Sequence, residues 1–350
     1  MSSESVCARV VISGYRMRDH GARSGYVHLA RLMEKRGATL RIAGRWQWTV
    51  GAPLRFGIPF SGMPLYNVYR LCGELRLAAH MRRGGANLYH FLYGEAGFRH
   101  IGRFAATRGH RLLATFHLPP EKLWQRMKTT RHLHHLAGIV CVSRSQFEFF
   151  ERCVPEVPRY HIPLGVDCSY FTPRAERRDE PGPRLLCVGE HLRDWRTLLG
   201  VYRRVKETHR RATLTVVTPP GGFHAPAGDD GIRVLRRLGD EQLREEYLSA
   251  DVLLLPLLDG TASNTALEAM ACGLPIVATR VGSLIEYLGN GEGILCARGD
   301  VEAMTSAVRS LLDDSPLRQE LGLRARSAAM AFDWNAVCDR TESVYASVLA

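Results

Sequence analysis

Residues Asp259–Thr279 read DGTASNTALEAMACGLPIVAT, and this stretch decides the fold. The apolar run before it, Val252–Pro256, has the length and composition of a buried strand. A loop of small residues, Gly260–Asn264, then leads into a predicted helix, Thr265–Cys272, which Gly273 ends. A second strand-like run follows. Strand, loop, helix and strand in this order predict a βαβ unit of a parallel sheet.

The junction between this loop and the predicted helix has the chemistry of a phosphate site. The N-terminus of a helix offers unpaired backbone N–H groups and about half a positive charge. Small side chains let a diphosphate approach the backbone, and Ser263, Asn264 and Thr265 add hydroxyl and amide donors. Glu268 lies one turn further, where its carboxylate can accept two hydrogen bonds from a ribose diol. The segment therefore predicts a site for a nucleoside diphosphate.

The same alternation of strand-like and helical segments runs along most of the 350 residues. Such a pattern predicts parallel sheets built from βαβ units, and this length fits two domains. The predicted strands, each a short apolar or β-branched run, are Arg9–Ser13, Thr39–Ala43, Asn87–Phe91, Arg111–Thr115, Gly138–Val142, Arg184–Val188, Thr213–Thr218, Gly231–Leu235, Val252–Pro256, Pro275–Thr279 and Gly293–Cys296.

A polar stretch, Pro173–Pro183, interrupts this pattern near the middle of the chain. It contains Arg, Glu, Asp, Pro and Gly and almost no apolar side chains, which is typical of an interdomain linker. The sequence therefore predicts two Rossmann-like domains that divide near residue 170, and a last helix at Ala336–Leu349.

At Leu267–Thr279 the sequence resembles the motif L-E-A-M-A-x-G-x-P-V-V-A-T of the family-4 retaining glycosyltransferases, also called glycosyl transferases group 1. Other segments follow in the family's order. Thr115–His117 resembles its T-x-H, and Ile139–Ser143 resembles its x-V-x-V-S strand. Ile162–Asp167 and Phe171–Pro173 resemble I-P-N-G-V-D and F-x-P, with leucine in place of asparagine.

This resemblance implies the GT-B architecture, an α/β fold with two Rossmann-like domains facing a central cleft. Residues 1–170 would form the acceptor-side domain and residues 171–330 the domain that binds the nucleotide-sugar donor. Residues 331–350 would form a helix that crosses back to the first domain.

The resemblance also implies the reaction. A retaining glycosyltransferase moves a sugar from a nucleotide-diphosphate sugar to an acceptor hydroxyl through a front-face displacement, with no side-chain nucleophile, no metal and no cofactor. Catalysis then consists of positioning and of stabilising charge on the leaving diphosphate. The catalytic residues expected here are His117 and Arg193. The usual setting of such chains is cell-envelope polysaccharide or glycolipid synthesis, with a sugar, lipid or polysaccharide as acceptor.

The donor site departs from the family pattern at two points. The family's first glutamate, eight residues before Glu268, is replaced by Gly260, so its task falls to Asp259 or to the hydroxyl and amide side chains nearby. Glu190 occupies the place of the family's arginine, which leaves Arg193 or a neighbouring arginine to neutralise the diphosphate, and Arg193 is favoured. The expected donor-binding residues are Gly189, Arg193, Arg196, Ser263, Asn264, Thr265 and Glu268. These departures keep open a second function, a non-catalytic subunit that binds nucleotide sugars or acts as a scaffold.

The loop Ser13–Gly25 corresponds to the acceptor-side loop of the family. It contains three arginines, which favours an anionic acceptor. The residues expected to reach the acceptor are Arg23, Ser24 and Gly25, the last because glycine allows close approach to a substrate.

Composition limits the partners. The formal net charge is +12, but no nucleic-acid motif accompanies it, so the expected partners are a nucleotide sugar, its acceptor and an anionic membrane surface contacted peripherally. The nine cysteines include no C-x-x-C pair. The sequence predicts no transmembrane segment and no secretion signal. The expected location is therefore the cytoplasm, including the inner face of the membrane. No metal site is expected, because the cluster His132–His135 has no carboxylate or cysteine at ligand spacing.

Overall fold

The computed structural model describes residues 6–15, 23, 25–43, 66, 68–84, 87–174 and 182–350. These residues form two compact units. The first unit takes residues 6–15, those between 25 and 164, and 335–350. The second takes residue 23 and those between 165 and 334. The chain therefore leaves the first unit after Leu164 and returns to it at Asn335.

The first unit is a parallel six-stranded sheet with helices around it. Its strands lie in the order β2-β1-β3-β4-β5-β6. The strands are β1 (Val10–Tyr15), β2 (Thr39–Ala43), β3 (Leu88–Phe91), β4 (Arg111–Phe116), β5 (Gly138–Cys141) and β6 (Arg159–His161). The helices are α1 (Tyr26–Lys35), α2 (Val68–Arg82), α3 (Gly94–Gly97), α4 (Ile101–Ala106), α5 (Pro120–Met127) and α6 (Phe147–Cys153).

The second unit is also a parallel six-stranded sheet, in the order β12-β11-β10-β7-β8-β9. Its strands are β7 (Arg184–Val188), β8 (Thr213–Val217), β9 (Ile232–Leu235), β10 (Val252–Leu255), β11 (Ile276–Thr279) and β12 (Ile294–Cys296). Its helices are α7 (Trp195–Thr208), α8 (Asp240–Ser249), α9 (Asn264–Ala271), α10 (Ser283–Leu288), α11 (Val301–Asp313) and α12 (Ser315–Ala329).

Each strand order reverses at one position, and these two positions locate the candidate sites. In the first sheet the reversal lies between β1 and β3, and in the second between β7 and β10. Helices that follow the two strands at such a position leave in opposite directions, which opens a crevice at the carboxyl ends of the strands. Every residue of β3, β10 and β11 is buried, as expected for parallel strands covered on both faces.

The prediction of an α/β fold with parallel sheets is confirmed, and all eleven predicted strands are present. The sequence missed β6, which has three residues and lies at the edge of its sheet. Its side chains are all half-buried, so neither a continuous apolar run nor an alternating pattern marks it. Helix α9 begins one residue earlier than predicted because Ser263 caps it.

The last helix, α13 (Trp334–Leu349), packs in the first unit beyond its first residue. The Tyr345 hydroxyl lies 2.8 Å from Nδ1 of the buried His90, and Arg36 pairs with Asp339 at 2.6 Å. The helix is thus anchored at both its core-facing and its solvent-facing sides. Within the described ranges, no helix is both long and apolar enough to cross a bilayer.

Candidate functional site

Backbone hydrogen bonds join the two loops at the strand reversal of the second unit. Arg193, in the loop after β7, forms an antiparallel bridge with Leu257, in the loop after β10. The N–H of Asp194 donates to the Pro256 carbonyl at 3.0 Å, and the N–H of Leu258 donates to the Leu192 carbonyl at 2.9 Å. The floor of the crevice is therefore fixed before any ligand arrives.

Gly189, the first residue after β7, is a position that requires glycine. Its φ is +89°, a conformation that other residues rarely adopt. A Cβ atom there would also lie 2.7 Å from Nη2 of Arg193. The glycine therefore lets the Arg193 side chain fold back over the end of the strand.

Arg193 presents a partly buried guanidinium group at the centre of the crevice. Its Nε and Nη2 both donate to the Val188 carbonyl, the former at 2.9 Å, and Nη1 donates to the His191 carbonyl at 3.0 Å. Nη2 also lies 3.4 Å from Oγ1 of Thr265, on the first turn of α9. Burial lowers the pKa of Arg193 below its ordinary value, yet an arginine stays charged at neutral pH. No carboxylate in the described part of the chain pairs with it, so the site holds an uncompensated positive charge.

The N-terminus of α9 adds backbone donors beside Arg193. Oγ of Ser263 accepts from the Ala266 N–H at 3.2 Å, which is an N-cap and starts the helix at Asn264. The other first-turn amides have no partner within the helix and are available to an anion. Oδ1 of Asn264 is buried, and no described residue hydrogen-bonds to it.

Glu268 is buried one turn further along α9, with 4% of its surface exposed. Its Oε2 accepts from the hydroxyl of Tyr247 at 2.8 Å, and Tyr247 is itself buried on α8. Burial and the neighbouring carboxylate raise the pKa of Tyr247 well above its ordinary value, so the phenol remains a donor. The sequence did not identify Tyr247, because only the fold brings α8 and α9 together.

Three further residues near the crevice, Arg196, Glu190 and Asp259, are either exposed or held in a local turn. Arg196 is exposed on the first turn of α7, behind its N-cap Asp194, and makes no ion pair with any residue that the structure describes. Glu190 is exposed directly after Gly189. Asp259 uses Oδ1 to accept from the next backbone amide at 2.7 Å, so this oxygen is committed to a local turn.

Two buried hydroxyl groups near the same loops were not predicted. Thr261 and Ser283 are 4% and 1% exposed, and neither side-chain oxygen has a hydrogen-bond partner among the described residues. Their backbones are joined, since the Ser283 N–H donates to the Thr261 carbonyl at 2.9 Å. No local sequence signal marks them, because only the fold brings the loop that contains Thr261 and the start of α10 together.

In the first unit, His117 lies at the carboxyl end of β4, one residue past the strand. Its Nε2 lies 2.7 Å from the Leu92 carbonyl in the loop after β3. A carbonyl only accepts, so Nε2 carries a proton. The rings of Tyr26 and Tyr93 lie 4.5 and 4.9 Å from the imidazole, centroid to centroid, and hold its plane.

The predicted acceptor-loop residues are only partly described. Gly25 has a φ of +76° and precedes α1, where its conformation favours glycine. Arg23 belongs to the second unit, where it pairs with Asp167 at 2.9 Å and lies over the ring of Tyr170 at 4.2 Å. Its charge is therefore already matched by a carboxylate. Ser24 lies outside the described residues.

A buried carboxyl group, Glu95, lies beside His117. It follows β3 on the short helix α3, and 5% of its surface is exposed. Its Oε2 is buried and has no hydrogen-bond partner among the described residues. Burial raises the pKa of Glu95 to about 7, and nearby backbone N–H groups and the charge of Arg70 oppose this rise only in part. His90, on β3, stays neutral because burial and the nearby His117 lower its pKa to about 3.

The raised pKa of Glu95 predicts a loss of stability as the pH rises. Its pKa is higher in the folded chain than the ordinary 4.5. Its contribution to the free energy of unfolding is therefore complete below pH 4.5 and is lost as the pH rises through about 7. A shift of this size corresponds to about 3 kcal/mol. We expect Glu95→Gln to gain about that much free energy of unfolding relative to the wild type between about pH 4.5 and about pH 8. Urea titrations of both proteins at the two pH values measure the difference, and an equal difference at both would contradict it.

Comparison with known proteins finds glycosyltransferases. Residues 182–314, which contain Gly189, Arg193 and Glu268, match the family model described as glycosyl transferases group 1. This chain resembles the group 1 glycosyltransferases. Over 210 residues it is 38% identical to the D-inositol 3-phosphate glycosyltransferase of Corynebacterium diphtheriae, covering 53% of this chain and 49% of that protein. The chain spans about half the length of the curated relatives it matches.

Solved structures match nearly the whole chain. Sucrose-phosphate synthase from Thermosynechococcus elongatus superposes with a TM-score of 0.72 at 19% identity, covering 97% of this chain and 99% of that one. Anabaena HepE in complex with UDP-glucose superposes with a TM-score of 0.67 at 11% identity, with the same coverage of 97% and 99%. The fold is therefore GT-B, as the sequence predicted.

Proposed function

We propose that this protein is a retaining glycosyltransferase of the hexosyltransferase type, which transfers a sugar from a nucleotide-diphosphate sugar to an acceptor hydroxyl without a metal ion. The observation that carries the proposal is the uncompensated charge of Arg193, 3.4 Å from Thr265 at the N-terminus of α9. A buried cation beside free helix amides is an anion site, and its position at the strand reversal is where α/β sheets bind nucleotides.

The diphosphate would lie against this N-terminus, with its oxygens accepting from Arg193 and from the first-turn amides. As the bond to the sugar breaks, negative charge grows on the diphosphate, and donors already held in place stabilise it without rearrangement. Arg193 is held in place by the carbonyls of Val188 and His191, so its orientation does not depend on the ligand. The fixed guanidinium group supplies the charge that a divalent cation supplies in other transferases, which supports metal independence.

Glu268 would bind the ribose of the nucleotide. The Tyr247 hydroxyl fixes one carboxylate oxygen at 2.8 Å, which sets the plane of the carboxylate. Ribose hydroxyls then donate to a group that is buried and correctly oriented, and such charge-assisted bonds are strong. This assignment supports a ribonucleotide donor. HepE was crystallised with UDP-glucose, which makes UDP the first nucleotide to test.

His117 would hydrogen-bond the transferred sugar or the acceptor through its ring, which the Leu92 carbonyl holds by its Nε2–H. The leaving diphosphate oxygen would take the proton of the acceptor hydroxyl, and the new bond would form on the same face of the sugar. The acceptor class that we propose is a sugar, a lipid-linked sugar or a polysaccharide of envelope synthesis. The net charge of +12 also supports peripheral contact with an anionic membrane.

A second candidate function is a non-catalytic nucleotide-sugar-binding subunit. It is favoured by Gly260, which stands where the family has its first glutamate, and by Asp259, whose Oδ1 is committed to a local turn. In this case the chain would bind the nucleotide but would not release it from the sugar.

A thermal-shift panel tests the donor site and separates the two functions. The ligands are UDP, GDP, ADP, TDP and CMP with their sugar conjugates, each with and without EDTA. We expect one nucleoside diphosphate to raise the melting temperature, by the same amount in EDTA, because a ligand that binds the folded state alone stabilises it. If no nucleotide stabilises the protein, the proposed assignment of the donor site is wrong. If one binds but its sugar conjugate is never cleaved, the non-catalytic function is favoured.

A further inference from the structure

Arg326, on α12, is a half-buried arginine whose guanidinium group binds three backbone carbonyls. Its Nη1 donates to the Ala271 carbonyl at 2.8 Å and to the Phe171 carbonyl at 2.9 Å. Its Nη2 donates to the Cys168 carbonyl at 3.1 Å. It forms no ion pair with any carboxylate that the structure describes. The charge of Arg326 therefore holds backbone, and it joins two segments that are far apart in the sequence.

The first of these carbonyls belongs to the last residue of α9, the helix whose first turn carries the proposed anion site. The last carbonyls of a helix have no partner within it and carry partial negative charge, so a cation stabilises them. Helix α12 also packs directly against this helix end, since a Cβ atom at Gly322 would lie 2.3 Å from the Gly273 carbonyl oxygen. Arg326 thus fixes the C-terminal end of α9, while Ser263 caps its N-terminal end.

The other two carbonyls belong to residues 168–174, a segment that also contacts α8. Arg244, on α8, donates from Nη2 to Oγ1 of Thr172 at 3.2 Å. The Phe171 ring lies edge-on to the Tyr247 ring, with centroids 6.1 Å apart. Helix α8 is therefore held to this segment by a polar contact and an aromatic contact.

These contacts form a closed circuit through the proposed ribose site. Arg326 binds the end of α9 at Ala271, and Glu268 lies one turn earlier on the same helix. Glu268 accepts from Tyr247 at 2.8 Å, and Tyr247 packs against Phe171. The Phe171 carbonyl then returns the circuit to Arg326. Because the circuit is closed, α8 and α9 cannot shift relative to one another without breaking one of its contacts.

A second arginine of α12, Arg318, makes a similar cap that lies outside this circuit. It is also half-buried, and its Nη1 donates to the carbonyls of Leu311 and Leu312 at 2.7 and 3.2 Å. These carbonyls lie in the last turn of α11. Helix α11 supplies none of the residues assigned to the nucleotide site. Arg318 therefore provides a matched control for Arg326, with the same residue type, the same helix and the same kind of cap.

We propose that Arg326 is a positioning residue of the nucleotide site, which ties the end of α9 to residues 168–174 and so sets, through Phe171 and Tyr247, the orientation of Glu268. This rests on the proposed function, since it adds a residue that acts on the same ribose site. The diphosphate end of the site is held separately, by the N-cap of α9 and by the carbonyls that fix Arg193. Loss of Arg326 should therefore impair recognition of the ribose and spare that of the diphosphate.

The test is isothermal titration calorimetry with UDP, GDP and ADP and with the 2′-deoxy form of each. The proteins are the wild type, Arg326→Met, Arg326→Lys and the control Arg318→Met, each first shown to be folded by its melting curve. Methionine keeps the apolar stem of arginine but has no hydrogen-bond donor. A ratio of the two affinities is measured because general destabilisation would weaken both forms of a nucleotide alike.

We expect the wild type to prefer the ribose form of at least one nucleotide. Arg326→Met should bind that form about tenfold more weakly and the deoxy form as well as the wild type does, because the carboxylate is present but less well oriented. Arg326→Lys should recover little, since an ammonium group cannot reproduce a fork shared by three carbonyls. Arg318→Met should lower the melting temperature but change the ratio by less than about twofold, because it lies outside the circuit.

Two results would overturn the positioning role while leaving the proposed function intact: Arg326→Met weakens both forms alike, or Arg318→Met loses as much ribose preference as Arg326→Met. If Arg326→Met does not fold, Phe171→Leu tests the same circuit, because it removes the ring that packs on Tyr247 and keeps the backbone carbonyls. An unchanged ribose preference in Phe171→Leu would also overturn the role. A wild type that binds no nucleotide would instead contradict the proposed function, and the positioning role with it.

Discussion

Replacing Arg193 by alanine is expected to lower the rate of nucleotide release from the donor sugar by about 1,000-fold. Removing one fixed donor from a site of developing negative charge has effects of this size in other enzymes. The guanidinium group is positioned by three hydrogen bonds to the carbonyls of Val188 and His191 and lies 3.4 Å from Thr265. The measurement is the rate of nucleoside diphosphate release from the nucleotide sugar identified by the thermal-shift panel.

Arg196 provides the matched control for this prediction. It lies three residues further along the same segment and carries the same charge, but it is exposed on the first turn of α7. Arg196→Ala should change the rate by less than about threefold, since exposed charges interact weakly. Arg193→Lys should recover little, because an ammonium group cannot reproduce a fork held by two carbonyls. Equal losses in the alanine variants at positions 193 and 196 would show that general electrostatic attraction, and not this fixed fork, binds the diphosphate.

Replacing Glu268 by alanine is expected to weaken binding of the nucleoside diphosphate by about 100-fold. Two charge-assisted hydrogen bonds from a ribose diol would be lost, worth about 3 kcal/mol together. The comparison that isolates them uses the 2′-deoxy form of the same nucleotide in isothermal titration calorimetry. The wild type should prefer the ribose form, and Glu268→Ala should bind both forms equally. A variant that still prefers ribose would assign the ribose to another residue.

Tyr247→Phe is the control for Glu268. It removes the hydroxyl that donates to Oε2 at 2.8 Å but leaves the carboxylate in place. We expect a loss of about tenfold, smaller than for Glu268→Ala, because the carboxylate is less well oriented but still present. A larger loss than in Glu268→Ala would mean that Tyr247 itself contacts the ligand.

Local patterns in the sequence were enough to predict the fold and the segments that form the crevice at the strand reversal of the second unit. The segment that ends in Leu267–Thr279 combines a buried strand, a small-residue loop and a capped helix in one continuous stretch, so a local signal contains the whole unit. Gly189 and Arg193 follow β7 by one and five residues, which places both in the loop at the carboxyl end of that strand. Their roles in binding stay predictions.

The features that the sequence did not predict depend on contacts between residues that are far apart in the chain. Tyr247 reaches Glu268 from 21 residues away, and Glu95 lies near His117, 22 positions later, because β3 pairs with β4. Arg193 and Arg196 are the same residue type, three positions apart. Only the turn that starts α7 folds the Arg193 side chain inward and leaves Arg196 in solvent. The burial of Thr261 and Ser283 likewise depends on the loop after β10 meeting the start of α10.

The way the chain crosses between its two units has a consequence for engineering. The outgoing segment at Val166 and the returning segment at Trp334 form a hydrogen-bonded pair, with the Val166 N–H donating to Phe332 at 2.9 Å and the Trp334 N–H donating to Val166 at 3.1 Å. Gly165 packs so closely on the Trp334 ring that a Cβ atom would lie 2.3 Å from it. Residues 165–334 are thus a cassette inserted into the first unit, with its two ends already side by side. Recombination among relatives at this paired junction would exchange the second unit as one piece, with the contact between Gly165 and Trp334 kept at the junction.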